Sequence, residues 1–181
     1  MNEVLNVRSV LAFLGFFLLA AFGSTAAHHV AVAQEHSYTS AKVEYVVNFP
    51  SSTWRLTDEP DEVHQHAEFV YGDRNDGYLR IRKEALPDGL SVQEFARQDQ
   101  EQKEHFRPGY IDGKGESFPG RLSGYTMSYE FTQAGKPMAG RTYYLQANEH
   151  IIYTLRFTGS RDKLGRIQNQ TDQIARSFKL K

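Results

Sequence analysis

The sequence contains no cysteine. Disulfides, thiol nucleophiles, cysteine-ligated metals and a lipid-modified cysteine anchor are therefore excluded, and the fold must be held by its core alone. Tryptophan occurs once, at Trp54, and proline six times in 181 residues. Charge of either sign is not in excess: 21 Lys and Arg stand against 22 Asp and Glu. So even a balance gives no electrostatic case for nucleic acid or an anionic membrane as partner. Catalytic signatures are also missing. H-E-x-x-H and G-x-S-x-G do not occur, "GRLSG" at Gly120–Gly124 has the wrong spacing, and no Walker lysine follows the glycine-rich "GKGESFPG". Paired carboxylates (Glu101/Glu104, Asp58/Glu59) lie in hydrophilic stretches. The residues argue against an enzyme and imply no cofactor.

Long apolar runs are confined to one place. Val10 to Phe22 is an uncharged run of 13 residues, preceded by Arg8 and followed by small residues ending in Ala31-Val32-Ala33. This is the order of a secretory signal peptide. A spanning helix needs roughly 20 apolar residues, so a cleaved leader over residues 1–33 is expected, with Ala26 as a second possible cut. The product is then exported, periplasmic or extracellular, with no stable membrane span. Loss of Glu3 and Arg8 leaves 20 basic and 21 acidic residues, in a chain of one domain's size.

Residues 34–42 read as a short flexible tail. From Val43 the pattern alternates, with Tyr45, Val47 and Phe49 on one side of a strand that stops at Pro50 and resumes at Trp54. Strands are expected at Val63–Tyr71 and Tyr78–Lys83. "LSVQEF" announces a helix over Ser91–Phe106, because Ser91 and Glu94 form a capping box. Residues 107–121, with four glycines and two prolines, read as a long loop. Strands at Leu122–Thr132, Gly140–Ala147 and Ile151–Thr158 follow with tight turns, as in an antiparallel meander. A final helix capped by Ser160 carries the stripe Leu164, Ile167, Thr171, Ile174, Phe178.

Alternation within these strands groups Tyr125, Met127, Tyr129 and Phe131, and likewise Ile151, Tyr153, Leu155 and Phe157. Both sets are expected on one core face beneath the last helix. Burying each such side chain is worth roughly 1.5–3 kcal/mol. The opposite, polar face is expected to carry Thr126, Ser128 and Glu130 with Arg80, Arg82, Thr154 and Arg156. It is either an ordinary solvated face or a recognition surface roofed by the first helix and the 107–121 loop. For a metal, the candidates are His64, His66 and Glu68, which a strand would project from one side.

Three stretches carry a family resemblance. "YVVNFPSSTW" runs as a strand through Phe-Pro to Trp; "RTYYLQANEHIIYTLRFTGS" is a closing hairpin; "DQIARSFKL" is a final helix with Ser-Phe. In this order and spacing, over about residues 43–180, the chain resembles the PsbP/DcrB-like superfamily, which includes a eukaryotic Ran-GTPase-binding nuclear-transport factor. The resemblance implies an α+β fold: a central antiparallel sheet of about six strands with flanking helices, a PsbP-like α/β/α sandwich over residues 43–181. It implies no catalytic apparatus, since members mostly bind or stabilise protein partners. The expectation is an exported binding domain whose contacts include Arg80, Arg82, Glu130, Arg156 and the 107–121 segment. A carrier for a small ligand or metal ion is the first alternative, and an unrecognised hydrolase the second.

Overall fold

The computed structural model describes residues 36–181. The leader expected over residues 1–33 lies outside them.

Strand alternation sets up the core. In β2 (Tyr45–Phe49), Tyr45, Val47 and Phe49 are buried while Val46 and Asn48 are only half-buried. Pro50 ends the strand, and the chain re-enters as β3 (Trp54–Asp58). Within the stretch expected as a tail, β1 (His36–Tyr38) pairs antiparallel with β2. Two residues near the chain's other end, β10 (Lys179–Leu180), pair with β2 as well.

The main sheet is larger than expected. Its order is β3-β4-β5-β9-β8-β7-β6, with β4 (Ala67–Tyr71), β5 (Asp73–Ala85), β6 (Ile111–Phe118), β7 (Gly124–Gln133), β8 (Lys136–Gln146) and β9 (Ile151–Ser160). All neighbouring pairs are antiparallel. The seventh strand is β6, which lies where a loop was expected. Its glycines are compatible with an edge. A bulge falls between Asp112 and Gly115, and a Cβ on Gly113 would stand 2.4 Å from the Ser128 carbonyl oxygen. Only glycine permits so close a backbone approach.

Helix α1 (Val92–Lys103) starts with the expected capping box: Ser91 Oγ accepts from the Glu94 amide at 3.2 Å, and the Ser91 amide donates to Glu94 at 3.0 Å. It packs on one face of the sheet, over β7 and β8, here called the outer face. The expected final helix is two: α2 (Arg161–Arg166) and α3 (Gln168–Ser177), broken at Ile167. Ser160 supplies no side-chain cap. The stripe nevertheless holds, with Leu164, Ile167, Thr171, Ile174 and Phe178 all buried. Together with β2 it covers the inner face of the sheet, closing a core around Leu79, Ile81, Tyr143, Leu145, Tyr153, Leu155 and Phe157. Trp54 sits at the rim of this core, 5.9 Å from Phe157, and its indole N–H donates to Gln170 at 3.1 Å.

Register corrects the grouping of faces. Directly paired residues share a face. Tyr143 pairs with Leu155 on one side and Thr126 on the other, and Arg141 pairs with Phe157 and Ser128. Thr126, Ser128 and Glu130 therefore belong to the inner face. Tyr125, Met127, Tyr129 and Phe131 belong to the outer face, beneath α1 and away from Tyr153 and Phe157. Both faces are apolar in part because both are covered.

Candidate functional site

The outer face divides in two. Under α1, Arg156 is drawn out of the surface it was expected to form. Its guanidinium meets Asp99 at 2.5 Å and Glu104 at 2.7 Å, and its side chain is 14% exposed. Tyr144 donates to Asp99 at 2.8 Å, Lys103 reaches Asp99 at 2.5 Å, and Arg107 pairs with Glu104. Burial works against the Arg156 charge, but Asp99 and Glu104 outweigh it and its pKa rises above the ordinary arginine value. Burial likewise pushes the Tyr144 and Tyr129 phenols well up. This ion cluster, centred on the buried Arg156, Asp99 and Glu104, fastens helix to sheet.

Glu130 is corrected too. It lies on the inner face, where it pairs with Arg161 at the start of α2 at 3.2 Å. It cannot share a surface with Arg80 and Arg82.

Beyond α1, over β3, β4 and β5, the outer face is arginine-rich. Glu68 pairs with Arg80, and Arg80 with Arg156 across the next strand, so these side chains share a side. Arg55, paired with Val70, joins them. Arg74 reaches Glu68 at 3.0 Å and lies over the Tyr78 ring at 4.4 Å. Arg80 Nε meets Glu68 at 3.3 Å, and Arg55 donates to the Gly72 carbonyl at 2.8 Å. Arg82 is half-buried, has no ion pair among the described residues, and its Nε is buried without an acceptor among them. Glu68 is thus shared by Arg74, Arg80 and His66. Burial raises its pKa, but the hydrogen bond from Tyr78, then Arg80 and His66, bring it below the ordinary carboxylate value.

The metal candidates do not converge. Strand β4 begins at Ala67, not Val63. Gln65 takes a left-handed φ of 49° and separates the two imidazoles by a turn. His64 faces Asp61 at 3.4 Å, while His66 faces Glu68 at 3.1 Å. Guanidinium groups already occupy Glu68. Among the described residues no group of three His, Asp or Glu side chains is placed to hold a metal ion.

Sequence reasoning missed Arg55 and Arg74 on this face. Arg74, Tyr78, Arg80 and Arg82 share one parity, a signal that was hidden because the second of these strands was expected to begin at Tyr78. Strand β5 instead runs from Asp73.

No family model and no curated protein matches the chain. Solved structures do match. The crystal structure of LpqN, involved in cell envelope biogenesis of Mycobacterium tuberculosis, superposes with a TM-score of 0.54 at 17% identity, covering 81% of this chain and 90% of that one. Cyanobacterial PsbP (CyanoP) from Synechocystis sp. PCC 6803 gives 0.55 at 16% identity over 84% and 96%. The Saccharomyces cerevisiae Ran-binding protein Mog1p gives 0.59 at 6% identity over 82% and 96%. The chain has the PsbP-like and Mog1-like fold. At these identities the likeness is one of architecture, and no residue role passes across it.

Proposed function

We propose that this chain is an exported, non-catalytic binding domain that docks an acidic surface of a protein partner on the arginine face of β3, β4 and β5. The observation that carries the reading is Arg82: a half-buried guanidinium with an orphaned Nε and, among the described residues, no carboxylate partner. The Nε is closed to a partner, but among the described residues the terminal nitrogens of this half-buried guanidinium have no acceptor, and a partner carboxylate would pair with them. Arg55, Arg74 and Arg80 surround it, with Glu68 as the shared counter-charge. Arginine is enriched where interfaces concentrate their binding energy. A fold relative being a Ran-binding protein is consistent with such use of this architecture. The leader-like N-terminal segment supports action outside the cytoplasm.

Arg82→Glu is the cleanest test, because it breaks no internal ion pair. The tagged chain is used to retain proteins from an envelope extract of its own cells. An acidic protein held by the parent and lost from Arg82→Glu, by about 30-fold for a hot-spot arginine worth 2 kcal/mol, supports the reading. Equal retention by the two chains, or retention of nothing by either, sinks it.

A further inference from the structure

Where β2 meets the end of α3 lies a groove of about 270 Å³, lined by Asn48, Pro50, Arg121, Gln173, Arg176 and Ser177. It is smaller than the roughly 300–1,000 Å³ of sites that enclose a whole ligand, so it suits one polar group of a larger molecule. Helical spacing builds one wall. Gln173 and Arg176 are three residues apart on α3 and are neighbours on one side of it. Arg176 is held in place: its guanidinium lies over the Phe118 ring at 5.1 Å and donates through one terminal nitrogen to the Pro119 carbonyl at 2.6 Å. Its Nε and second terminal nitrogen are left for a ligand. Pro119 is two residues from Arg121, so the same contact ties α3 to the segment that forms the opposite wall. Among the described residues the side chains of Arg121 and Gln173 have no hydrogen bond or ion pair, and Arg176 has no ion pair. Ser177 adds nothing, because its hydroxyl is engaged with the Asn48 amide and the Ile174 carbonyl.

Charge decides what the groove takes. Among the described residues that line it there are two guanidinium groups and no carboxylate. Asp172, one turn before Arg176, is turned instead to Arg141 and Tyr143. The C-terminal end of α3 brings roughly half a negative charge, which leaves about +1.5 to be matched. A carboxylate carries a single charge and falls short. A phosphate monoester carries about −1.5 to −2 near neutral pH and offers three strong acceptor oxygens, one for each of the donor side chains Arg121, Gln173 and Arg176.

We infer that this groove binds a phosphate monoester, with Arg121 and Arg176 paired to its oxygens and Gln173 donating beside them. Both walls belong to the side of the molecule that covers the inner face, so occupancy does not depend on the protein-docking reading of the outer-face arginines. A soluble phosphorylated compound and a lipid head group offer the same chemistry, and the experiment separates them. Isothermal titration of the intact chain at about 50 mM salt uses glycerol 3-phosphate, with acetate as the singly charged comparison. Flotation with phosphatidylcholine vesicles, with and without phosphatidic acid, tests the lipid source. Either the soluble monoester should bind saturably below about 5 mM, or the vesicles should carry the chain only when phosphatidic acid is present. Arg121→Gln and Arg176→Gln, both at exposed positions, should each weaken that binding roughly fivefold or more, and Arg82→Glu should leave it unchanged. Neither probe bound, acetate bound as tightly, binding undiminished in Arg121→Gln and Arg176→Gln, or binding lost in Arg82→Glu instead would overturn the assignment.

Discussion

Replacing Arg156 with methionine separates a surface role for this residue from the buried one found here. Were Arg156 part of an open polar face, the change would shift stability by no more than about 0.5 kcal/mol. In the structure it faces Asp99 and Glu104, which are 3% and 1% exposed. Methionine fills part of the volume but leaves both carboxylates without their shared cation. Breaking a buried pair in this way costs about 3–5 kcal/mol. Lys103 and Arg107 remain beside the carboxylates with side chains 41% and 36% exposed, so the lower end, about 3 kcal/mol, is expected. For a domain of this size that lowers the unfolding midpoint by roughly 6–12 °C. Urea unfolding followed by the fluorescence of Trp54, the one tryptophan, measures it directly. The midpoint concentration should fall with little change in slope. Adding Asp99→Asn and Glu104→Gln to Arg156→Met should restore part of the loss, since an uncharged cluster needs no counter-ion. A loss within 0.5 kcal/mol for the single variant would refute the buried-cluster account.

Other expectations follow from the same geometry. A Cβ on Gly140 would lie 2.1 Å from the Tyr129 ring, so Gly140→Ala should destabilise by roughly 1–3 kcal/mol in thermal melts; an unchanged melt would show that the ring moves aside freely. Burial first, and then the hydrogen bond to Asp112, push the Tyr110 phenol up to about 12 from its ordinary 10.0. The fold favours the neutral phenol, so this contribution is full below pH 10 and is lost as pH rises towards 12. Tyr110→Phe should reduce alkaline destabilisation there and remove one late-titrating phenolate from the absorbance curve. Glu68 is displaced the other way, below the ordinary 4.5. Its contribution is present above that pH and is lost as acid carries the chain through the lowered value. Glu68→Gln should flatten the stability profile below pH 4.5, and an identical acid profile would show that Tyr78 and Arg80 do not hold it.

Much of the architecture was written locally. The Ser91/Glu94 box placed α1, Pro50 ended β2, and the spacing of Leu164 to Phe178 marked the covering stripe even though the helix breaks within it. These signals act between near neighbours in the chain, where turn and capping geometry are settled. Which strand residues share a face was also legible strand by strand, from the period of two. What alternation cannot supply is the relation between strands. Tyr129 and Tyr153 look alike in sequence, yet register puts them on opposite sides of the sheet, because each side has its own helical cover and either would accept an aromatic row. The same uncertainty sent Glu130 to the wrong face, whereas Arg156 shares the expected face with Arg80 and is buried there because α1 lies over it. Pairing across β5, β9, β8 and β7 settled those positions, since a shift of one residue inverts every side chain. The buried Nε of Arg82, without an acceptor among the described residues, likewise arises only once distant elements have packed around it.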